Sequence, residues 1–251
     1  KLANYGNLDP AILAGLADVD PGNTHTVPYM WGTTGLGINV TKVKEILGED
    51  APLDSWALLF DPANAAKLAE CGISVLDDEQ EAFAAALLWQ GRDPNATGGD
   101  EIQVVTEAYA GLRPHLRYFH SSKYIDDLAN GDVCLAMGYS GDVAMAAARA
   151  EESETGQEIL YVIPKEGAVR WMDLIAIPKD APNQANAYRF LDFMLEAKVA
   201  AIRGEQGNEL RIMVAAEGSA PYQKVLDAMD VLRRAKVSNV SLMTNAGGNA
   251  R

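Results

Sequence analysis

Apolar residues along the chain recur with two periods. At helical spacing they fall at Ile12, Leu13 and Leu16, behind Asp9-Pro10, which predicts a helix with Asp9 as N-cap and Pro10 as its first residue. Runs at residues 27–31 and 35–40 predict two strand segments around a Gly-Thr-Thr-Gly bend, and further strands are expected at 73–76, 116–119, 133–137, 159–163 and 171–177. Between them the pattern predicts helices over 41–47, from 56 to 60 and onward past 64, and over 82–90, 102–112, 122–130 and 143–150. A long helix is expected over 184–202, with Ala187, Phe190, Leu191, Met194 and Leu195 on its apolar face. The acids of residues 77–81 fall in the first turn of the 82–90 helix, where the helix dipole favours them. Strands alternate with helices, so the expected fold class is α/β with a mainly parallel sheet.

The chain changes character at residues 203–208, Arg-Gly-Glu-Gln-Gly-Asn, a polar linker candidate. Beyond it the pattern predicts a strand-helix-strand unit: strand 210–215, an amphipathic helix 222–235 with Val225, Leu226, Met229 and Leu232 on one face, and strand 237–244. Residues 245–251 read as a frayed tail.

The most informative stretch is 120–142, HSSKYIDDLANGDVCLAMGYSGD. A short polar helix leads through a Gly-Asp turn into an apolar strand that stops at Gly138. A polar tip, Tyr139-Ser140-Gly141-Asp142, precedes the next helix. In open α/β sheets such a tip, past the carboxyl end of a strand, is where ligands sit. This one offers an aromatic face, a hydroxyl and a carboxylate, the makings of half a pocket for a small cation. A formal charge of −14 argues against nucleic acid and anionic membranes as partners and is permissive for cationic ligands. With 48% hydrophobic and 22% charged residues the chain has the composition of a soluble globular protein. No apolar run reaches the roughly 20 residues of a membrane helix, and Lys1-Leu2-Ala3-Asn4-Tyr5 reads as domain sequence rather than a signal peptide.

No catalytic constellation stands out, and no metal or cofactor is expected. His25, His115 and His120 lack metal-ligand spacing, and Gly138-Tyr139-Ser140-Gly141 misses the nucleophile-elbow pattern by one residue. The glycines at 32–37 fit no phosphate-binding loop. Cys71 and Cys134 lie in or beside apolar strand-like runs, where they read either as two buried thiols or as a bridge; a bridge would stabilise the fold by about 4 kcal/mol and require an oxidising compartment.

Binding fits the residues better. A diamine needs carboxylates for its ammonium ends and aromatic faces for its methylenes. Tyr139 with Asp142, and Trp171 with Asp173, form two aromatic-acid pairs at strand boundaries. An N-cap is the structural alternative for Asp142, and core packing for Trp171. Asp173, inside Trp-Met-Asp-Leu-Ile-Ala-Ile, is expected to be costly to bury without a cation.

VPYMWGTTGLGINV, LDDEQEAF, RYFHSSKYIDDLANGDVCLAMGYSGDV and IPKEGAVRWMDLIAIPKDAP closely resemble the periplasmic putrescine/spermidine-binding proteins of bacterial ABC importers, over roughly residues 1–200. The resemblance implies a partial type II periplasmic-binding-protein fold of two α/β lobes. Residues 1–40 and 165–203 would give part of the first lobe and the hinge, and residues 41–164 the second lobe. It implies a site lined by Glu81, Ser121, Tyr139, Asp142, Trp171 and Asp173, a Cys71–Cys134 disulfide, a spermidine or putrescine ligand, and an ABC permease as partner. Tyr139 stands where some members have tryptophan; Trp171 stands where putrescine-preferring members have phenylalanine, which implies room for spermidine.

The chain begins after the family's Trp-Ser-Asp-Tyr type ligand segment, and the family's final return to the second lobe is replaced by ELRIMVAAEGSAPYQKVLDAMDVLRRAKVSNVSLMT. That segment resembles the C-terminal periplasmic domain of TolR/ExbD proteins, which implies dimerisation through residues 204–251.

Overall fold

The computed structural model describes residues 2–199 and the backbone of Ile212–Ala216 and Val240–Thr244. The predicted linker 203–208, helix 222–235 and tail 245–251 lie outside the described residues. The chain divides into two compact units, one of residues 1–30 and 172–251, the other of residues 31–171.

In the first unit a 3-10 turn (Ala3–Asn7) precedes α1 (Pro10–Gly15). The Asp9 carboxylate accepts the Ala11 amide at 2.8 Å, the expected cap. Asp20 organises the turn that follows. Buried, it accepts the amides of Thr24, His25 and Thr26 and the Thr26 hydroxyl. Burial alone would raise its carboxyl; the bonds from the Thr26 side chain, His25 and the Thr26 amide outweigh that and hold it far below the usual range.

β1 (Thr26–Asn39) passes from the first unit into the second as one 14-residue strand. The expected bend at Gly-Thr-Thr-Gly is absent, because the glycines mark close approach rather than a turn. A Cβ on Gly35 would lie 2.4 Å from the Val162 carbonyl oxygen. The strand ends one residue earlier than predicted, since Asn39 caps α2 (Val40–Leu47) by accepting the Lys42 amide. The single helix expected from 56 past 64 is two, α3 (Ala57–Phe60) and α4 (Pro62–Leu68), broken where Asp61 caps Pro62.

β2 (Ile73–Val75) leads into α5 (Glu79–Trp89), α6 (Gly99–Leu112) and β3 (Tyr118–Phe119). Then follow α7 (Tyr124–Asn130), β4 (Leu135–Tyr139), α8 (Ser140–Glu152), β5 (Ile159–Val162) and β6 (Val169–Ala176). The order is β3-β2-β4-β1-β5, and β6 pairs with β1 outside it. β2 is parallel to β3 and β4, whereas β1 is antiparallel to both β4 and β5, with Leu36 opposite Met137 on one side and Val162 on the other. The helix-connected strands β2 to β5 thus run one way, as crossovers demand. The mainly parallel expectation fails at β1, inserted between β4 and β5, and the sheet is mixed. Its core includes Leu36, Ile38, Leu58, Leu59, Ile73, Leu87, Leu128 and Leu135, all fully buried.

Cys71 and Cys134 precede the neighbouring strands β2 and β4 and form a disulfide, with Cα atoms 5.6 Å apart. α9 (Gln184–Met194) is shorter than predicted; the Glu196 amide turns back to the Phe193 carbonyl, the tightened last turn of a helix end. It buries Leu191 but leaves Phe190 exposed, against the expected apolar face. The backbones of β7 (Ile212–Ala216) and β8 (Val240–Thr244) pair in parallel.

Candidate functional site

The expected polar tip is not a loop. β4 hands directly to α8, with Tyr139 as the extended N-cap residue and Ser140 as the first helical residue. Asp142 therefore sits in the first turn of α8, where the helix dipole favours a carboxylate. Its Oδ2 accepts the Tyr124 hydroxyl at 2.7 Å, and the same hydroxyl accepts the Tyr139 amide at 3.0 Å.

Across the sheet end, α5 begins with Asp78 as N-cap. Oδ1 of Asp78 accepts the amides of Gln80 and Glu81, each at 3.1 Å, while Oδ2 accepts the Tyr139 hydroxyl at 3.3 Å. One carboxylate so joins the helix turn carrying Glu81 to the ring of Tyr139. Glu81 is 9% exposed, and its Oε2 has no hydrogen-bond partner among the described residues. Burial raises the Glu81 carboxyl; the Thr34 hydroxyl, close but outside hydrogen-bonding geometry, offsets part of this, and the Asp78 charge adds to it. Neither Asp78 nor Glu81 has a basic partner among the described residues.

Tyr139 is the centre of this group. Burial, followed by Asp78, Glu81 and Asp142, pushes its hydroxyl up to about 12, which registers the negative field of the three carboxylates. The ring of Trp171 meets Tyr139 edge-on, and its buried Nε1 has no partner among the described residues. Behind them, the Ser140 hydroxyl accepts the Thr33 amide at 3.3 Å, and the Tyr161 hydroxyl donates to the Thr33 carbonyl at 2.9 Å.

Of the predicted residues, Glu81, Tyr139, Asp142 and Trp171 come together in the 31–171 unit. Ser121 lies in the same unit, half-buried in the bend between β3 and α7. Asp173 lies beyond the division between the units and is exposed on β6, so the expectation that it would be costly to bury fails on its premise. Sequence reasoning missed Asp78, taken as one more dipole-favoured acid; its Asp-x-x-Glu spacing to Glu81 was the available signal. It also missed Tyr124, hidden in a helix read as polar yet fully buried. Two perpendicular rings among carboxylates, two of them without a basic partner, can hold an ammonium group by charge-assisted hydrogen bonds and cation-π attraction. Among the described residues no group of three or more His, Cys, Asp or Glu could hold a metal ion, and no helix is long and apolar enough to cross a membrane.

Residues 1–222 match the family of bacterial extracellular solute-binding proteins, and the chain belongs to that family. Among curated relatives it is 50% identical, over 202 residues and 80% of its length, to the putrescine-binding periplasmic protein PotF of Escherichia coli K12, of which the match covers 55%. It is 47% identical over 201 residues to the putrescine-binding periplasmic protein SpuD of Pseudomonas aeruginosa UCBPP-PA14, with the same shares covered. The chain thus spans about half the length of the curated relatives it matches. Among solved structures it is similar to a putative spermidine/putrescine ABC transporter from Listeria monocytogenes, with a TM-score of 0.69 and 26% identity over 98% of this chain and 70% of the other. The fold is the α/β fold of type II periplasmic binding proteins, in part. The likeness of residues 204–251 to TolR/ExbD finds no support: the family match runs on to residue 222, into that segment.

Proposed function

We propose that the chain captures a polyamine, spermidine or putrescine, in the periplasm for delivery to the membrane permease of an ABC importer. The observation that carries this reading is Glu81, a carboxyl buried without a basic partner beside Asp78 and the Tyr139 ring. A buried carboxylate in that setting is costly until a cation joins it, and an alkylammonium supplies both the charge and the donors. Glu81, Asp78 and Asp142 would face the ammonium, with Tyr139 and Trp171 packing on the methylenes. Ser121 and Asp173 complete the proposed lining. Residues 31–171 would act as one lobe, and residues 1–30 with those from 172 onward as part of the other. The relatives' putrescine-binding names and the net charge of −14, which steers cations, support the same reading.

Calorimetric titration with putrescine and with spermidine tests it. Saturable heat from either amine is expected, with affinity at least about tenfold weaker in Asp142→Asn, as for a lost charge-assisted contact. Absence of heat from both amines sinks the proposal. Undiminished affinity in Asp173→Asn removes Asp173 from the site while leaving the rest.

A further inference from the structure

Tyr124 stands outside the residues that would face an amine. Its ring is fully buried on α7 and packs so tightly on β4 that a Cβ at Gly138 would lie 2.5 Å from its Cε2. The hydroxyl accepts the Tyr139 amide at 3.0 Å and donates to Asp142 Oδ2 at 2.7 Å. A single oxygen therefore ties the last residue of β4 to the first turn of α8, the two places that carry the aromatic face and the carboxylate. Burial, followed by the Asp142 charge, pushes this hydroxyl far above the ordinary tyrosine range, so it remains a donor wherever the protein is folded. Asp142 has other interactions too, and the Tyr124 bond is one of those that hold its carboxylate.

We propose that Tyr124 is a positioning residue of the cation site, aiming the Asp142 carboxylate and fixing the Tyr139 backbone beside it without touching the ligand. The inference rests on the polyamine reading above. A carboxylate held in its bound orientation loses less freedom when the amine arrives, the usual gain from preorganisation.

The test is a double-mutant cycle on the full chain, titrating putrescine into the wild type, Tyr124→Phe, Asp142→Asn and the double variant. Phenylalanine keeps the buried ring and removes only the hydroxyl. Tyr124→Phe is expected to weaken binding roughly three- to tenfold, but by less than about twofold once Asp142 is asparagine. Equal losses in both backgrounds, or an unchanged affinity in Tyr124→Phe, overturn the proposal.

Hydrogen exchange without any amine supplies a second, independent measurement. In Tyr124→Phe the Tyr139 amide should exchange about tenfold faster or more, while those of Ala136 and Met137 in the same strand keep their protection. No change at Tyr139, or loss of protection along the whole strand, overturns the positioning role. Absence of heat from the wild type overturns the polyamine reading itself, and exchange then decides the role of the hydroxyl alone.

Discussion

The indole of Trp171 meets the phenol ring of Tyr139 edge-on, with centroids 5.7 Å apart and planes at 84°. Gly32 keeps that geometry possible. A Cβ on Gly32 would stand 2.4 Å from Trp171 Cζ2 and 2.9 Å from the Ser140 hydroxyl, so Gly32→Ala must push the indole or the start of α8 aside. The expected outcome is weaker amine binding, by roughly fivefold or more, since a displaced aromatic wall forfeits cation-π and methylene contacts. Gly111→Ala in α6 is the control, because a Cβ there meets nothing within 4 Å. It should gain up to about 1 kcal/mol of stability from helix propensity and leave binding untouched. Full affinity in Gly32→Ala would remove the aromatic pair from the site.

Glu81 gives the site a pH dependence of definite sign. Its folded carboxyl is raised above 4.5 by burial first, then by the Asp78 charge, against the opposing Thr34 hydroxyl. The folded protein therefore binds this proton more tightly than the unfolded chain does. Glu81 penalises folding above its raised folded value, and the penalty fades as pH falls toward the unfolded value. An ammonium ligand needs the charged carboxylate, so affinity should fall as pH drops through that raised value, and binding in that window should expel a proton. Titration heats measured in buffers of different ionisation enthalpy read the released proton directly. Heat independent of buffer throughout the mildly acidic range contradicts the assignment, and Glu81→Gln should abolish any dependence seen.

What the chain discloses before folding is mostly local. Asp9 caps Pro10 as its spacing implies, and the acids before α5 do lie at a helix start. Those features depend on neighbours a few residues away. The unbroken course of β1 does not, because its Gly35 lies close against the Val162 backbone, far along the chain. For the same reason glycines that read as a bend proved to be contact points. The site shows the same division. Tyr139, Asp142 and Trp171 were legible as aromatic-acid pairs, whereas Asp78 acquires a role only because α5 starts opposite the end of β4. Tyr124 was masked by the polar residues around it, although packing buries it completely. Asp173 was judged by its apolar neighbours in sequence and proved exposed on β6, although Met172 and Leu174 on either side of it are half-buried.

The Cys71–Cys134 disulfide closes a loop of 63 residues that contains β2, α5, α6, β3 and α7. Loss of that cross-link restores freedom to the unfolded chain, and the chain-entropy account sets the cost at about 4 kcal/mol. Urea denaturation of the full chain with and without reductant should show the midpoint falling on reduction. The paired Cys71→Ser, Cys134→Ser variant should match the reduced protein. Identical midpoints in all three forms would contradict the stabilising role. Cys134 lies five residues before Tyr139, so binding is expected to survive reduction under conditions where the protein stays folded.

Asp20 gives a stability effect of opposite sign, in the other unit. Although burial by itself would raise its carboxyl, the Thr26 hydroxyl, His25 and the Thr26 amide together depress it strongly. A depressed carboxylate contributes stability that is fully present above its unfolded value, near 3.8, and is lost as pH falls through the folded value. Asp20→Asn removes the charge and leaves one acceptor oxygen where two now serve the Thr24, His25 and Thr26 amides. The variant should melt at a lower temperature at neutral pH. Its deficit should then shrink as the solution is acidified below the ordinary carboxylate range, because the wild type loses the same charge there. Circular-dichroism melts of both proteins across that range check it. A deficit that stays constant at every pH would mean that packing, and not the charge of Asp20, holds the turn between α1 and β1.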